Sequence, residues 1–130
     1  MIGNVMPVLG AQPMQNGMMA ISPSNNFALP SYPGTYSFGV VAIFSETGKE
    51  RADTYSVELS LWKSDTKIAT LAQPTIDGSQ VENGPGHTLV FNLSFQNVRI
   101  DEAGSFEIHT TINGQPLNKC PIQFTLESQR

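Results

Sequence analysis

Few residues of this chain have the type and spacing that catalysis or metal binding needs. His109 falls in a run that alternates apolar and polar residues, opposite Phe106 and Ile108, so we expect it on a solvated strand face beside Glu107. His87 lies in an expected loop, and a zinc ion there would need two or three further ligands. The histidine, cysteine and acidic spacings match no metal motif. The sequence therefore predicts no metal site and no cofactor.

The one cysteine and the adjacent acidic pair are weak catalytic candidates. A cysteine nucleophile needs a base and an oxyanion site, so we expect Cys120 to be an inert, buried residue. Asp101 and Glu102 are successive residues, whose side chains point apart on an extended chain, and we expect both in a loop before Gly104. The sequence predicts a protein that is not an enzyme.

The distribution of charge is the strongest signal in the chain. The 7 basic and 11 acidic side chains all lie between Glu46 and Arg130, so residues 1–45 carry no charge. Globular proteins carry roughly a quarter of their residues as charged types, mostly on the surface. We therefore expect this charge-free stretch to be covered, either by the fold or by a partner. The net charge of −4 and the lack of a basic cluster predict that nucleic acid is not a ligand.

Length and composition predict one domain in the cytoplasm. The 130 residues suit a single core, with residues 1–35 as an N-terminal edge segment and residues 36–126 supplying the core strands. No apolar run reaches the roughly 18 residues that a membrane span requires, and no basic region of a signal peptide opens the chain. A single cysteine cannot form an internal disulfide, which favours a reducing compartment.

Strand patterns dominate residues 36–126. Residues 36–44 form a nearly continuous apolar run typical of a central strand covered on both faces, and residues 67–73 suit a shorter strand. Asn113 and Gly114 suit a two-residue hairpin turn, with a return strand through Ile122, Phe124 and Leu126. Three stretches place apolar or β-branched residues at every second position, which predicts half-buried strands: Tyr55, Val57, Leu59, Leu61; Leu89, Phe91, Leu93, Phe95; and Phe106, Ile108, Thr110, Ile112. Without a helical stripe, these patterns predict an all-β sandwich.

Residues 1–35 hold five of the nine prolines and all five methionines. Proline removes a ladder donor, so we expect two short edge strands here, near residues 2–9 and 17–22, rather than a long central strand. The methionines either fill the core of the domain or form an adaptable partner surface. Trp62 is out of phase with its apolar neighbours, so it is either covered by another element or anchors a partner. The candidate interface residues are Met6, Met14, Met18, Met19, Ile21 and Trp62.

Two resemblances follow from these residues. Glu102, Gly104, Phe106 and Ile108 resemble the signature that opens the penultimate strand of immunoglobulin-like domains, with Phe in place of Tyr and Ile in place of Cys. This resemblance implies an immunoglobulin-like antiparallel sandwich without the tyrosine-corner hydrogen bond or the disulfide. Over residues 29–126 the layout is similar to small bacterial and phage-borne proteins of unknown function, which implies no functional residue.

Three function classes stay open. The first is a non-enzymatic interaction module, whose partner is another protein or a second copy of the chain. The second is a small phage-type inhibitor or accessory factor that binds a host protein complex. The third is a carbohydrate-binding module with Trp62, Tyr32, Tyr36 or Tyr55 as its platform. We favour the first class, and we expect no membrane partner.

Overall fold

The computed structural model describes residues 2–13, 19–45, 54–77 and 88–127. These residues form β-strands joined by turns, and no helix occurs among them, which confirms the all-β class. The strands are β1 (Ile2–Pro13), β2 (Met19–Pro23), β3 (Asn26–Leu29), β4 (Gly34–Ser45), β5 (Thr54–Lys63), β6 (Thr66–Ala72), β7 (Thr75–Asp77), β8 (Thr88–Ile100), β9 (Gly104–Ile112) and β10 (Gln115–Leu126).

The strands build two sheets that share one core. The first sheet has the order β2-β1-β4-β8, and the second has the order β3-β10-β9-β5-β6, with β7 paired beside β5. Neighbouring strands are antiparallel except β3, which runs parallel to β10. Buried residues of both sheets belong to one hydrophobic cluster. The ring of Phe27 in the second sheet lies 5.3 Å from that of Phe38 in the first, so the sheets pack face to face.

The alternating patterns of β5 and β9 are confirmed, because their predicted core residues are all buried. The turn between β9 and β10 is confirmed as well, with φ of 50° at Asn113 and 79° at Gly114. Asn113 also ties this turn to β5: its N–H donates to Ser56 O and its Oδ1 accepts from Ser56 N, both at 2.8 Å. The predicted short strand at residues 67–73 is β6.

Two apolar residues are more exposed than the patterns predict. Leu126 was expected on the inner face of the return strand, but at the end of β10 it is 60% exposed, although its partner Leu29 in β3 is buried. Ile43 lies in β4, which is central in its sheet, yet it is 44% exposed. Only the inner face of β4 is fully covered by the second sheet, so coverage on both faces was wrong at this position.

The prediction of two short N-terminal edge strands was wrong in the length of the first. β1 has 12 residues and pairs with β4 over its first half and with β2 over its second half, so its first half is an open edge on the side away from β4. The carbonyl of Pro7 accepts a hydrogen bond from Ser24 N, on the side of β1 away from β4. The nitrogen and the carbonyl of one strand residue point to the same side, so the Pro7 nitrogen also faces away from β4. The missing N–H therefore removes no bond of the β1–β4 ladder. β2 does lie at the sheet edge, as expected.

The short strand β3 was not predicted from the sequence. It pairs in parallel with the end of β10, from Asn26 opposite Gln123 to Leu29 opposite Leu126. Its two inward residues, Phe27 and Leu29, are each 1% exposed. The segment assigned to an N-terminal edge therefore contributes to both sheets and to the core between them.

Candidate interaction site

The candidate catalytic residues are kept apart by the strand faces. His109 points outward from β9, where its ring stacks on the Trp62 indole with centroids 4.6 Å apart and planes 13° apart. Its Nε2 lies 3.4 Å from Glu107 Oε1. The His109 side chain is 16% exposed, so it is more covered than the solvated strand position expected from the sequence. His87 lies outside the described residues. Within the described part, no three histidine, cysteine or acidic side chains are grouped to hold a metal ion.

Cys120 points into the protein from β10, next to Ile108 of β9 and on the opposite face from His109. Burial raises the pKa of the Cys120 thiol to about 11, and the Glu107 carboxylate adds to the rise. The thiol is therefore protonated at neutral pH, and a protonated thiol is a poor nucleophile and a poor metal ligand. This environment matches the expected inert, buried cysteine.

Asp101 and Glu102 lie in the connection between β8 and β9, and their carboxylates separate into two ion pairs. Asp101 Oδ1 accepts from Arg99 Nε at 2.7 Å, and Glu102 pairs with Lys63 of β5. The Lys63 ammonium also lies 5.2 Å from the centre of the Phe106 ring. The two carboxylates therefore lie in separate ion pairs at the surface.

Trp62 is half-buried on the outer face of the second sheet. Its Nε1–H donates to Ser60 Oγ at 2.8 Å, and one face of its indole is covered by His109. The cover comes from the neighbouring strand of the same sheet, since the N-terminal strand β1 belongs to the other sheet. The polar atom of the side chain and one face of its ring are therefore already engaged.

The tyrosines do not extend Trp62 into a sugar platform. Tyr55 is 3% exposed, Tyr36 stacks on Phe27 at 5.0 Å, and the hydroxyl of Tyr32 donates to Thr125 O at 2.5 Å. All three rings pack against the core. The aromatic faces that a carbohydrate would need are thus turned inward or shared with other rings.

The N-terminal segment instead borders an open groove between the two sheets, here called the β1/β10 groove. Its volume is about 320 Å³. Ser24 and Asn25 close one end, since Ser24 N donates to Pro7 O at 3.1 Å and Asn25 O accepts from Gln123 N at 2.7 Å. None of its lining residues is charged; they are Asn4, Val5, Met6, Pro7, Ser24, Asn25, Cys120 and Pro121.

The groove is framed by two strand edges. The first half of β1 has no β2 partner, because the β1–β2 pairing begins at Val8. The first half of β10 likewise lies beyond its pairing with β3, which begins at Gln123. Main-chain groups alternate sides along a strand, so Pro7 and Pro121 both present a nitrogen without hydrogen to the groove. Prolines therefore blunt both edges against regular strand addition.

The predicted interface residues do not form one surface among the described residues. Met6 lines the groove and is 37% exposed. Met19 and Ile21 lie in β2, opposite Pro13 and Ala11, and Trp62 lies on the other sheet. Met14 and Met18 fall outside the described residues. The sequence did not point to Asn4, Asn25 or Pro121, because no local pattern shows that β10 returns beside β1.

Comparison with models of protein families identifies the family of the chain. Residues 10–125 match the model of a family of unknown function, DUF6941, and the chain belongs to that family. The match includes strands of both sheets and leaves out residues 2–9 of β1. A comparison with curated proteins found no match.

Among the solved structures that are similar in fold is that of the Pseudomonas fluorescens alkylpurine DNA glycosylase AlkC bound to DNA containing an abasic site analog. The identity is 13% and the TM-score 0.51, over 78% of this chain and 28% of that protein. The chain thus spans under a third of the glycosylase, and the likeness shows the fold alone.

In the described residues, no helix has the length and apolar character to cross a membrane.

Proposed function

We propose that this protein is a non-enzymatic interaction module whose β1/β10 groove binds an uncharged, extended segment of a partner protein. The observation that carries the proposal is the absence of charge along the whole lining of a groove of about 320 Å³. A charged ligand would lose water there without gaining an opposite charge. An apolar segment with amide or hydroxyl groups loses little and can bond to Asn4, Ser24 and Asn25.

The groove residues suit this type of ligand. Met6 is exposed and flexible, and methionine adapts its shape to apolar side chains of different sizes. Asn4 is held from the other side by Asn118, whose Nδ2 donates to Asn4 Oδ1 at 3.3 Å. Because Pro7 and Pro121 remove main-chain donors, side-chain contacts contribute most of the affinity and specificity.

The proposal includes an immunoglobulin-like sandwich as the scaffold. In such sandwiches the second and fifth strands are neighbours in one sheet, and the third, sixth and seventh strands adjoin in the other. Here β4 and β8 adjoin in the first sheet, and β5, β9 and β10 adjoin in the second, which supports this assignment. The proposal also includes a cytoplasmic setting, which the single buried thiol supports.

A peptide-display selection against the immobilised protein tests the groove. We expect the enriched peptides to be uncharged and rich in apolar residues. Met6→Asp places a charge in the groove at an exposed position, and we expect it to weaken peptide binding at least about ten-fold. Leu126→Asp is the matched control, because Leu126 is an exposed strand residue that does not line the groove.

Binding by Leu126→Asp should equal that of the unaltered protein. The proposal is wrong if the selected peptides are highly charged, or if Met6→Asp binds them as tightly as the unaltered protein does.

A further inference from the structure

The opposite side of the sandwich holds a strand edge of a different kind. β8 ends the first sheet, with β4 on one side and no partner among the described strands on the other. Its 13 residues pair with β4 from Thr88 to Ile100. A bulge interrupts this pairing near Asn97, whose φ is 53°. The regular part of this edge is therefore residues 88–95, here called the β8 edge.

The direction of the main-chain groups follows from the neighbouring ladders. Pro7 O points toward β2, so Met6 of β1 directs its N–H and C=O at Val41 of β4. Val40, the next residue along β4, then faces Leu93 of β8. By the same alternation, Asn92 and Ser94 present their N–H and C=O groups to the open side. Both side chains are exposed.

The β8 edge lacks the features that keep other edges in this fold from pairing. Residues 88–98 contain no proline, no glycine and no charged residue. The groove edges of β1 and β10 carry Pro7 and Pro121 instead. The facing edge strand β6 is distorted by two register shifts and carries Lys67, which pairs with Glu58 at 2.5 Å. A regular, uncharged edge strand without proline readily accepts another strand.

We propose that the β8 edge pairs antiparallel with the β8 edge of a second copy of this chain, which joins two first sheets into one eight-stranded sheet. A two-fold axis perpendicular to the sheet sets outer-face residues opposite outer-face residues, so the surface is self-complementary. No like charges meet across the new pair, because the edge carries none. Beyond the β8 edge, Arg99 and Asp101 form an ion pair, with 2.7 Å between Arg99 Nε and Asp101 Oδ1.

The groove beside the β8 edge supports a second copy as the occupant. This groove has a volume of about 410 Å³ and lies between β6 and β8, with Ile68, Leu71, Phe95 and Val98 among its lining residues. Ile68 is 45% exposed, one of the most exposed large apolar side chains described. An added β8 strand would lie along this groove and cover part of it. The groove is lined half by apolar and half by polar residues, and β8 offers a strand of the same mixed character, in which apolar residues alternate with Asn92 and Ser94.

The test is the oligomeric state, measured by sedimentation velocity over a range of concentrations. We expect the unaltered protein to be a dimer. Ser94→Pro removes an outward N–H from both copies, and Ser94→Lys keeps the N–H but sets charge on the edge. We expect each to raise the dimer dissociation constant at least about ten-fold with an unchanged β-sheet circular dichroism spectrum. Gln123→Lys, at an exposed position of β10 on the other side, should leave the dimer intact.

If Ser94→Pro does not fold, Ser94→Lys and Asn92→Lys decide the question. A monomeric unaltered protein would overturn the proposal, as would a dimer that persists in both lysine variants. Met6→Asp should remain dimeric, so the failure of one binding surface can be told apart from the failure of the other.

Discussion

Cys120 shows how one buried side chain links stability to pH. Burial raises the pKa of its thiol to about 11 in the folded protein, above the usual value of 9.0. A raised pKa means that folding favours the protonated thiol. Its contribution to stability is therefore complete below about pH 9 and is lost as the pH rises through about 11.

We predict that the free energy of unfolding decreases more between pH 9 and 11 in the unaltered protein than in Cys120→Ala. Burial also raises the pKa of Tyr32, which acts in the same direction and is common to both proteins. Urea unfolding at several pH values measures the difference between them. Two curves that run parallel across this interval would contradict the burial of the thiol.

Some residues could be placed from the sequence alone, and others could not. Asn113 and Gly114 were correctly assigned to a turn because a positive φ is a local demand that few residue types meet. The outward position of Trp62 also follows from alternation along one strand. Its cover by His109 does not, because the pairing of β5 with β9 brings these rings together across 47 residues of sequence.

At the scale of elements, the half-buried strands were the predictable part of the fold. β5 and β9 each alternate apolar and polar residues, since one face meets the core and the other meets water. β1 was misjudged, since a proline costs a hydrogen bond only where its nitrogen faces a partner strand. The sequence does not say which side of β1 has that partner. β3 was missed, because four residues are too few to show a period.

The fit of β1 against β4 can be tested at Gly3. A Cβ atom added there would lie 2.6 Å from Phe44 Cδ1 and 2.7 Å from Ile43 O, and the second contact is with main chain that cannot turn away. We predict that Gly3→Ala lowers the free energy of unfolding by about 1–3 kcal/mol. Thr35→Ala, at an exposed position of β4, should change it by about 0.5 kcal/mol or less. Equal stability of the two variants would argue against the close pairing of β1 with β4.

At the scale of the whole molecule, the charge asymmetry of the sequence becomes a difference between the two sheets. The charge-free residues 1–45 supply β1, β2 and β4, so Arg99 of β8 is the single charged residue in the described strands of the first sheet. The second sheet carries charges on β5, β6, β9 and β10. The uncharged stretch is only partly covered by the fold, since Met6 and Ile43 are exposed. Both proposed binding surfaces use the uncharged sheet, the β1/β10 groove at one side and the β8 edge at the other.

The two sheets are held together by a cluster of rings around Phe27. Its ring lies 5.0 Å from Tyr36 and 5.3 Å from Phe38 in the first sheet, and 6.0 Å from Phe124 in the second. Loss of this ring would leave a cavity between the layers. We predict that Phe27→Ala lowers the free energy of unfolding by about 3–5 kcal/mol, which is a large share of the roughly 5–15 kcal/mol of a typical domain.

Leu126→Ala provides the comparison, because Leu126 lies two residues beyond Phe124, the residue that Phe27 pairs with, and yet is 60% exposed. Its truncation should cost about 0.5 kcal/mol or less. Urea unfolding of both variants measures the contrast. A small loss for Phe27→Ala would mean that the two sheets do not depend on the β3 segment for their packing.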